Sequence, residues 1–168
     1  IDPNTGNFYV TWRTTTGPMG SEPDVSSLGK FNASGTMLAS TTLLGDRSGG
    51  AGVYYNGAIY LQERSQDYSI LQYTKFDSNL GRVFSRTLSP SNIGNITNGV
   101  AYNGNIYVAC DGAGSGAADI GAMKVIKFDA GLNELVRSSY SNVASGSHHN
   151  NDALAVSEAE FLERIRRF

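Results

Sequence analysis

The feature that most constrains the fold is a pair of short motifs that recur in the same order along the chain. The first is a triplet with a central aromatic residue, found as Phe8-Tyr9-Val10, Ile59-Tyr60-Leu61, Ile106-Tyr107-Val108 and Glu160-Phe161-Leu162. The second is Lys30-Phe31-Asn32, Lys75-Phe76-Asp77 and Lys127-Phe128-Asp129. The aromatic residues of the first motif are 51, 47 and 54 residues apart. A period near 50 residues built of short strands is typical of β-propeller blades, and these segments lack the 3.6-residue periodicity of helices.

Residues 98–135 show the order of elements within one repeat. An apolar strand is followed by Asn103-Gly104, a dipeptide typical of a two-residue hairpin turn. The aromatic triplet, a glycine-rich loop, the Lys-Phe-Asp strand, a turn and a further strand then follow. The sequence therefore predicts an all-β chain, a β-propeller of about three to four four-stranded antiparallel blades. We expect blades near residues 1–45, 51–88, 98–141 and 152–168, of which the first and last are incomplete.

The first and last predicted blades are incomplete, so the sequence leaves open whether the propeller closes into a ring. The inner strand that should precede Phe8 is missing from the first blade. In the last blade, helix propensity favours a helix at 157–168, whereas the repeat register favours a hairpin of 153–156 and 160–165. Propellers close with four to eight blades, so we expect a piece of a larger propeller. In a small ring, 153–156 would supply the strand missing before Phe8. An open arc would expose strand edges that favour association.

The repeat resembles a known group of sequences. Residues 2–10 and 30–38 carry Gly-x-x-Tyr-Val, then Lys-Phe-Asn-x-x-Gly and a Leu-containing strand, and they resemble the secreted bacterial β-propeller (SBBP) repeats. The third repeat, with Gly-Asn-Ile-Tyr-Val-Ala and Val-Ile-Lys-Phe-Asp, is similar to NHL repeats. The resemblance implies a propeller fold and an extracellular or cell-surface location. It specifies no chemistry, because such folds carry many functions.

Composition excludes some classes of partner. The formal net charge is −2 and no strand carries a dense row of Lys or Arg, so a nucleic-acid partner is not expected. No apolar run is long enough to span a bilayer. The single cysteine, Cys110, cannot form an internal disulfide and is expected to be buried.

Candidate binding residues lie on the loops that a blade topology makes long. The tight turns of each blade fall on one face and the longer connections on the other, and loops on a rigid scaffold commonly bind ligands. The polar and aromatic residues expected near the long connections are Trp12, Arg13, Asp24, Asp46, Arg47, Glu63, Arg64, Asp67, Asp111, Asp119, His148, His149 and Asp152. Among them we predict ligand contacts for Trp12, Arg47, Arg64, Asp111, His148, His149 and Asp152.

None of these residues forms a recognisable catalytic motif. His148, His149 and Asp152 could bind zinc, but adjacent histidines point apart in an extended chain and no third histidine exists. Calcium could bind Asp111 and Asp119, although the spacing of an EF-hand loop is missing. The glycines after Asp111 lack the Lys-Ser/Thr of a phosphate-binding loop. No catalytic residue and no cofactor is therefore predicted, with calcium and zinc as the alternatives.

The remaining features favour binding over catalysis. Trp12 at the end of its strand could stack on a sugar ring or pack between blades. Two glycosylation sequons occur, one at Asn32 on a predicted turn and one at Asn95 in the connection to the third blade. The function predicted is a non-catalytic propeller module that binds a protein or a glycan through its long-loop face. The alternative is a metal-dependent lyase or hydrolase on a propeller scaffold, with most of its site in further blades.

Overall fold

The computed structural model describes residues 1–14, 25–45, 48–50, 52–67, 69–88, 93, 96–111 and 123–140. These residues form eleven β-strands and no helix. The strands are β1 (Phe8–Thr14), β2 (Val25–Phe31), β3 (Met37–Thr42), β4 (Val53–Tyr55), β5 (Ala58–Arg64), β6 (Leu71–Asp77), β7 (Arg82–Leu88), β8 (Ile96–Tyr102), β9 (Asn105–Asp111), β10 (Met123–Asp129) and β11 (Glu134–Tyr140). The predicted fourth blade, 152–168, and its choice between hairpin and helix lie outside the described residues.

The strands form three antiparallel sheets. The first sheet has the order β1-β2-β3, the middle sheet β4-β5-β6-β7 and the third sheet β8-β9-β10-β11. The all-β prediction is confirmed for the described residues, as is the pairing of consecutive strands into antiparallel sheets of three or four. The first sheet has one strand fewer than the others, because no described strand pairs with the outer edge of β1.

The two sequence motifs are cross-strand neighbours in every sheet. The register pairs Tyr9 with Lys30, Tyr60 with Lys75 and Tyr107 with Lys127. In the middle and third sheets the lysine ammonium lies 5.6 Å from the centroid of the tyrosine ring, within the range of a cation–π interaction. The recurrence in the sequence is therefore the recurrence of one side-chain pair on adjacent strands.

A bulge and a turn follow this pair in the same way each time. The register of the outer hairpin shifts directly after the lysine in all three sheets. The turn is then closed by a side-chain oxygen. Asp129 Oδ1 accepts hydrogen bonds from the backbone N–H groups of Gly131 and Asn133, each at 2.8 Å. Asp77 and Asn32 accept the equivalent pairs of bonds. Asx side chains favour such turns because they can replace a backbone acceptor.

Each of these turns contains one residue with a left-handed backbone. The residue is Gly35 in the first sheet, with φ of 84°, but Leu80 (68°) and Leu132 (63°) in the others. Leucine rarely adopts this conformation. Leu132 is fully buried and Leu80 nearly so, each in a hydrophobic cluster with residues of the preceding sheet. Burial therefore offsets the backbone cost at both positions.

The middle sheet is covered on both faces. Because successive residues of a strand point to opposite faces, Ile59 and Leu61 pack in one cluster with Leu28 of the first sheet. Tyr60 and Tyr73 pack in another cluster with residues of the third sheet. The residues of the third sheet in that cluster include Ile106, Val108, Cys110, Ile126, Phe128 and Leu132. The three sheets thus stack face to face, and Cys110 is buried as predicted.

The left-handed leucine gives a test of this packing. We expect Leu132→Ala to destabilise the protein by about 2–5 kcal/mol, the usual range for a buried Leu-to-Ala change. Leu132→Gly should be no less stable than Leu132→Ala, because glycine relieves the positive φ. Urea unfolding of both variants measures the difference.

The matched control is Leu28, which is equally buried but lies in β2 with an ordinary backbone. There glycine should be worse than alanine, by roughly 0.5–1 kcal/mol. If the glycine variant were less stable than the alanine variant at both positions, the positive φ of Leu132 would not determine the cost of its substitution.

Candidate functional site

Three of the predicted ligand-binding residues lie in the described part of the chain. They are Trp12, Arg64 and Asp111, whereas Arg47, His148, His149 and Asp152 lie outside it, as do Asp24, Asp46 and Asp119. Arg64 and Asp111 are the last residues of the equivalent strands β5 and β9. Trp12 lies two residues before the end of β1.

Contacts between the sheets show that equivalent strand ends lie on the same side of the stack. Near the start of β5, Tyr60 Oη donates to the carbonyl of Ala130, in the β10–β11 turn, at 3.0 Å. Near the end of β5, the Gln62 side chain accepts a hydrogen bond from Ile96 N at the start of β8. We call the side where β1, β5 and β9 end the long-connection end, and the opposite side the turn end.

The Trp12 side chain packs against its own sheet. Its ring lies over Gly29, where a Cβ atom would come within 2.5 Å of the ring, and meets Phe31 edge to face at 6.4 Å. Phe31 in turn stacks on Phe8 at 5.4 Å. With Val10, which is 39% exposed, these rings form the outer face of the first sheet. Ring packing on this face, rather than projection into a loop, fixes Trp12.

Arg64 is positioned by the connection that leads into the middle sheet. Its backbone N–H donates to Ser48 Oγ at 2.9 Å, and Ser48 Oγ lies 3.3 Å from the Arg64 carbonyl. A Cβ atom on Gly45 would come within 2.2 Å of that same carbonyl oxygen. Only glycine at position 45 therefore allows this connection to lie so close to the end of β5.

Glu63, on the same strand, is the most strongly bound carboxylate in the described part of the chain. It is fully buried, and its two oxygens accept hydrogen bonds from Thr74 Oγ1 (2.6 Å), Gln72 Nε2 (3.0 Å), Leu44 N (3.0 Å) and the guanidinium of Arg82. Burial raises the pKa of Glu63, but the bonds from Arg82, Thr74 and Gln72 outweigh it and hold the pKa below its ordinary value.

A carboxylate in this state anchors structure and offers little to a ligand. Its acceptor positions are occupied, and protonation would break bonds to several donors. Asp67, in the short β5–β6 loop, is used in a similar way, since Ser65 Oγ (2.6 Å) and Ser69 Oγ (2.8 Å) both donate to it. These bonds lower the pKa of Asp67 to about 2. Glu63 and Asp67 were candidates from the sequence, and in the structure both accept hydrogen bonds from other residues of the chain.

A cavity that the sequence did not predict lies between the first and middle sheets, beside β1. Its volume is about 170 Å³. Its lining residues are Ile1, Tyr9, Thr11, Leu28, Gly49, Gly52, Val53, Tyr54, Ile59 and Leu61.

One polar group of the cavity has no partner. Thr11 Oγ1 donates to the carbonyl of Gly49 at 3.2 Å, and the Tyr54 hydroxyl bonds the carboxylate of Asp2. Tyr9 Oη is buried and makes no hydrogen bond within the described part of the chain. Burial, together with the nearby charges of Asp2 and Asp77, raises the pKa of Tyr9. Buried hydroxyls are normally hydrogen-bonded, so Tyr9 Oη is an exception among the described residues.

Within the described ranges, no group of three or more His, Cys, Asp and Glu side chains is placed to hold a metal ion. No helix there is long and apolar enough to cross a bilayer.

Comparison with known proteins gives this chain no family. No protein-family model matches it, and no curated protein matches its sequence. The resemblance to SBBP-type and NHL repeats therefore stays a prediction drawn from the motifs themselves.

The Glu63 network predicts a pH dependence of stability. Because the folded pKa lies below the unfolded value of about 4.3, the network stabilises the fold above that value and loses its contribution as the pH falls through the folded pKa. We expect Glu63→Gln to cost about 1.5–3 kcal/mol at pH 7, the usual range for a hydrogen bond to a charged group. The difference from wild type should shrink at pH 3, as measured by urea unfolding.

The control is Glu134→Gln, which breaks the ion pair of Glu134 with Arg137 at the surface. Surface pairs of this kind contribute about 0–1 kcal/mol. Equal losses for the two substitutions at pH 7 would contradict the anchoring role of Glu63.

Proposed function

We propose that this chain is part of a β-propeller that acts as a non-catalytic binding module and takes a protein or a glycan at its long-connection end. The observation that carries the proposal is the difference between the two ends of the stacked sheets. The turn end consists of short turns closed by their own Asx side chains, whereas the long-connection end carries the longest connections and the strand ends Arg64 and Asp111. At the long-connection end only Glu63 and Asp67 are shown to be taken up by bonds within the chain.

The turn end has little left to offer a ligand. It holds the two-residue turns Asn56-Gly57 and Asn103-Gly104 and the three turns closed by Asx side chains. In the turn of the third sheet, Asn133 donates to Asp129 through both its side chain and its backbone N–H. These bonds hold the pKa of Asp129 below its ordinary value. A carboxylate already bonded in this way competes poorly for an incoming donor.

The long-connection end has the features expected of a binding surface. The connections from β1 to β2 and from β9 to β10 span residues 15–24 and 112–122, while the opposite turns are only a few residues long. Arg64 and Asp111 end their strands on this side and are held by the sheets. Long connections on a rigid scaffold are where binding residues concentrate.

The stacking of the sheets supports a propeller as the scaffold. Equivalent faces of successive sheets meet in the same order at both junctions, and β4 lies against β8. At both junctions a side chain of the preceding sheet bonds the backbone entering the next one, Thr11 to Gly49 and Gln62 to Ile96. A repeated junction of this kind is what radial repetition of blades requires. The extracellular or cell-surface location stays a proposal from the motif resemblance.

Binding screens on an oligosaccharide array and on a phage-displayed peptide library test the proposal. We expect a sugar or peptide that binds to lose at least about tenfold in affinity on Arg64→Ala, a loss of about 1.4 kcal/mol. Asn79→Ala, an exposed change at the turn end, should leave binding unchanged. Circular dichroism melts check that both variants fold.

The reverse pattern, with Asn79 required and Arg64 dispensable, would place the binding surface at the turn end. Absence of binding in both screens would leave the module without a protein or glycan ligand. Either result contradicts the proposal.

A further inference from the structure

We propose that Asn32, in the turn between β2 and β3, is the acceptor site for an N-linked glycan, transferred as an oligosaccharide from a polyprenyl pyrophosphate donor. Asn32 begins the sequon Asn32-Ala33-Ser34, the pattern that such transferases recognise. The site lies at the turn end, so a sugar there leaves the long-connection end clear. The proposal needs the extracellular or cell-surface location proposed above, but it does not depend on a ligand at the long-connection end.

The fold requires only an acceptor oxygen at position 32. Asn32 Oδ1 accepts hydrogen bonds from the backbone N–H groups of Ser34 (3.1 Å) and Thr36 (2.8 Å). In the equivalent turns, one oxygen of Asp77 and one of Asp129 accept the same pair of backbone bonds. A carboxylate would therefore close the first turn as well. Closing the turn does not explain why this position carries an amide.

The amide nitrogen of Asn32 is not used by the turn. Each hydrogen bond to this side chain within the described part of the chain ends on Oδ1, and Nδ2 makes none there. In the third sheet the corresponding second atom is occupied, because Asp129 Oδ2 accepts a bond from Asn133 Nδ2 at 2.8 Å. Asn32 Nδ2 is thus the atom of this turn that is left for a glycosyl donor.

The hydroxyl that the sequon requires is already beside the amide. Ser34 Oγ donates to Asn32 Oδ1 at 2.8 Å. The equivalent positions of the other two turns are Asn79 and Gly131, so only the first turn combines an amide with a hydroxyl two residues later. The two features that distinguish this turn from its equivalents are the two that glycosyl transfer to asparagine needs.

The transfer is a substitution at the anomeric carbon of the donor. The bond between Asn32 Nδ2 and sugar C1 forms while the bond between C1 and the pyrophosphate oxygen breaks. The polyprenyl pyrophosphate leaves with that electron pair, and Nδ2 gives up one of its two protons to a base of the transferase. No oxidant or reductant takes part.

The turn has room for a sugar. Its residues 33–36 are exposed, and a Cβ atom on Gly35 would meet no other heavy atom within 4 Å. The second sequon differs, although Asn95 itself lies outside the described residues. Its middle residue, Ile96, is 2% exposed, and the N–H of Ile96 donates to the side chain of Gln62. Of the two sequons, the one at Asn32 is therefore the one we assign as the acceptor.

Secretion of the chain from eukaryotic cells tests the assignment. Intact mass before and after peptide N-glycosidase treatment in heavy-oxygen water, followed by peptide mapping, identifies the modified residue. We expect a glycan on Asn32 in most secreted chains. Ser34→Ala should lose it although Asn32 is retained, and Ser34→Thr should keep it.

The matched control is Asn32→Asp, which keeps the acceptor oxygen that the equivalent turns use. It should lose the glycan and unfold at the same temperature as the deglycosylated wild type. The glycosylated wild type should unfold at no lower temperature, because the sugar extends from an atom that the turn does not use.

Three results would overturn the proposal. They are a secreted, folded chain without a glycan on Asn32, a glycan confined to Asn95, and a glycosylated chain that melts below the deglycosylated one. None of these results bears on the array and phage screens with Arg64→Ala, so failure of the glycan site and failure of the binding module are distinguishable.

Discussion

The described structure depends on burial of both faces of one sheet. The middle sheet alternates residues toward its two neighbours, so that Ile59 packs against the first sheet and Tyr60 against the third. Full burial of one such side chain is worth about 1.5–3 kcal/mol, and neither face could supply it without a sheet to pack against. Because the middle sheet packs against another sheet on each face, β5 is buried along almost its whole length although it belongs to an antiparallel sheet. The same burial explains why the Glu63 carboxylate in β5 needs hydrogen-bond donors for both of its oxygens.

A second interaction fixes how the sheets are aligned. Tyr60 and Lys75, neighbours on adjacent strands, both donate to the carbonyl of Ala130, at 3.0 and 3.1 Å. One pair of side chains therefore joins two strands within a sheet and also binds the turn of the next sheet. At the first junction Tyr9 has no such bond, and it stacks on Tyr54 at 5.6 Å instead. The two equivalent tyrosines therefore meet the next sheet in different ways.

The sequence predicted what is local and repeated. The strands, the two Asn-Gly turns and the turns after Lys-Phe-Asp follow from short motifs, and their recurrence identified them even where single segments were ambiguous. The bulge after each lysine was not predicted. The interactions of Glu63 could not be predicted, because its donors come from positions 44, 72, 74 and 82 and only the folded sheet brings them together. Trp12 was expected either to stack on a sugar ring or to pack between blades, and its contact with Gly29 within the first sheet is visible only once the register is known. Arg64 and Asp111 were expected to begin the connections after the second strands, and the structure makes them the last residues of β5 and β9; their ligand contacts stay predictions. Arg47, His148, His149 and Asp152 lie outside the described residues.

The left-handed turn residues bear on how such a chain can grow. Leu80 and Leu132 each belong to one sheet but are buried against the sheet before it, while Gly35, at the same place in the first sheet, is exposed with open space around it. Each sheet with such a leucine therefore supplies a buried side chain to the interface with the sheet before it. A duplicated gene segment that encodes such a sheet would also encode the leucine that packs against the sheet before it. Lengthening the array by duplication would then need no compensating substitutions in the older units.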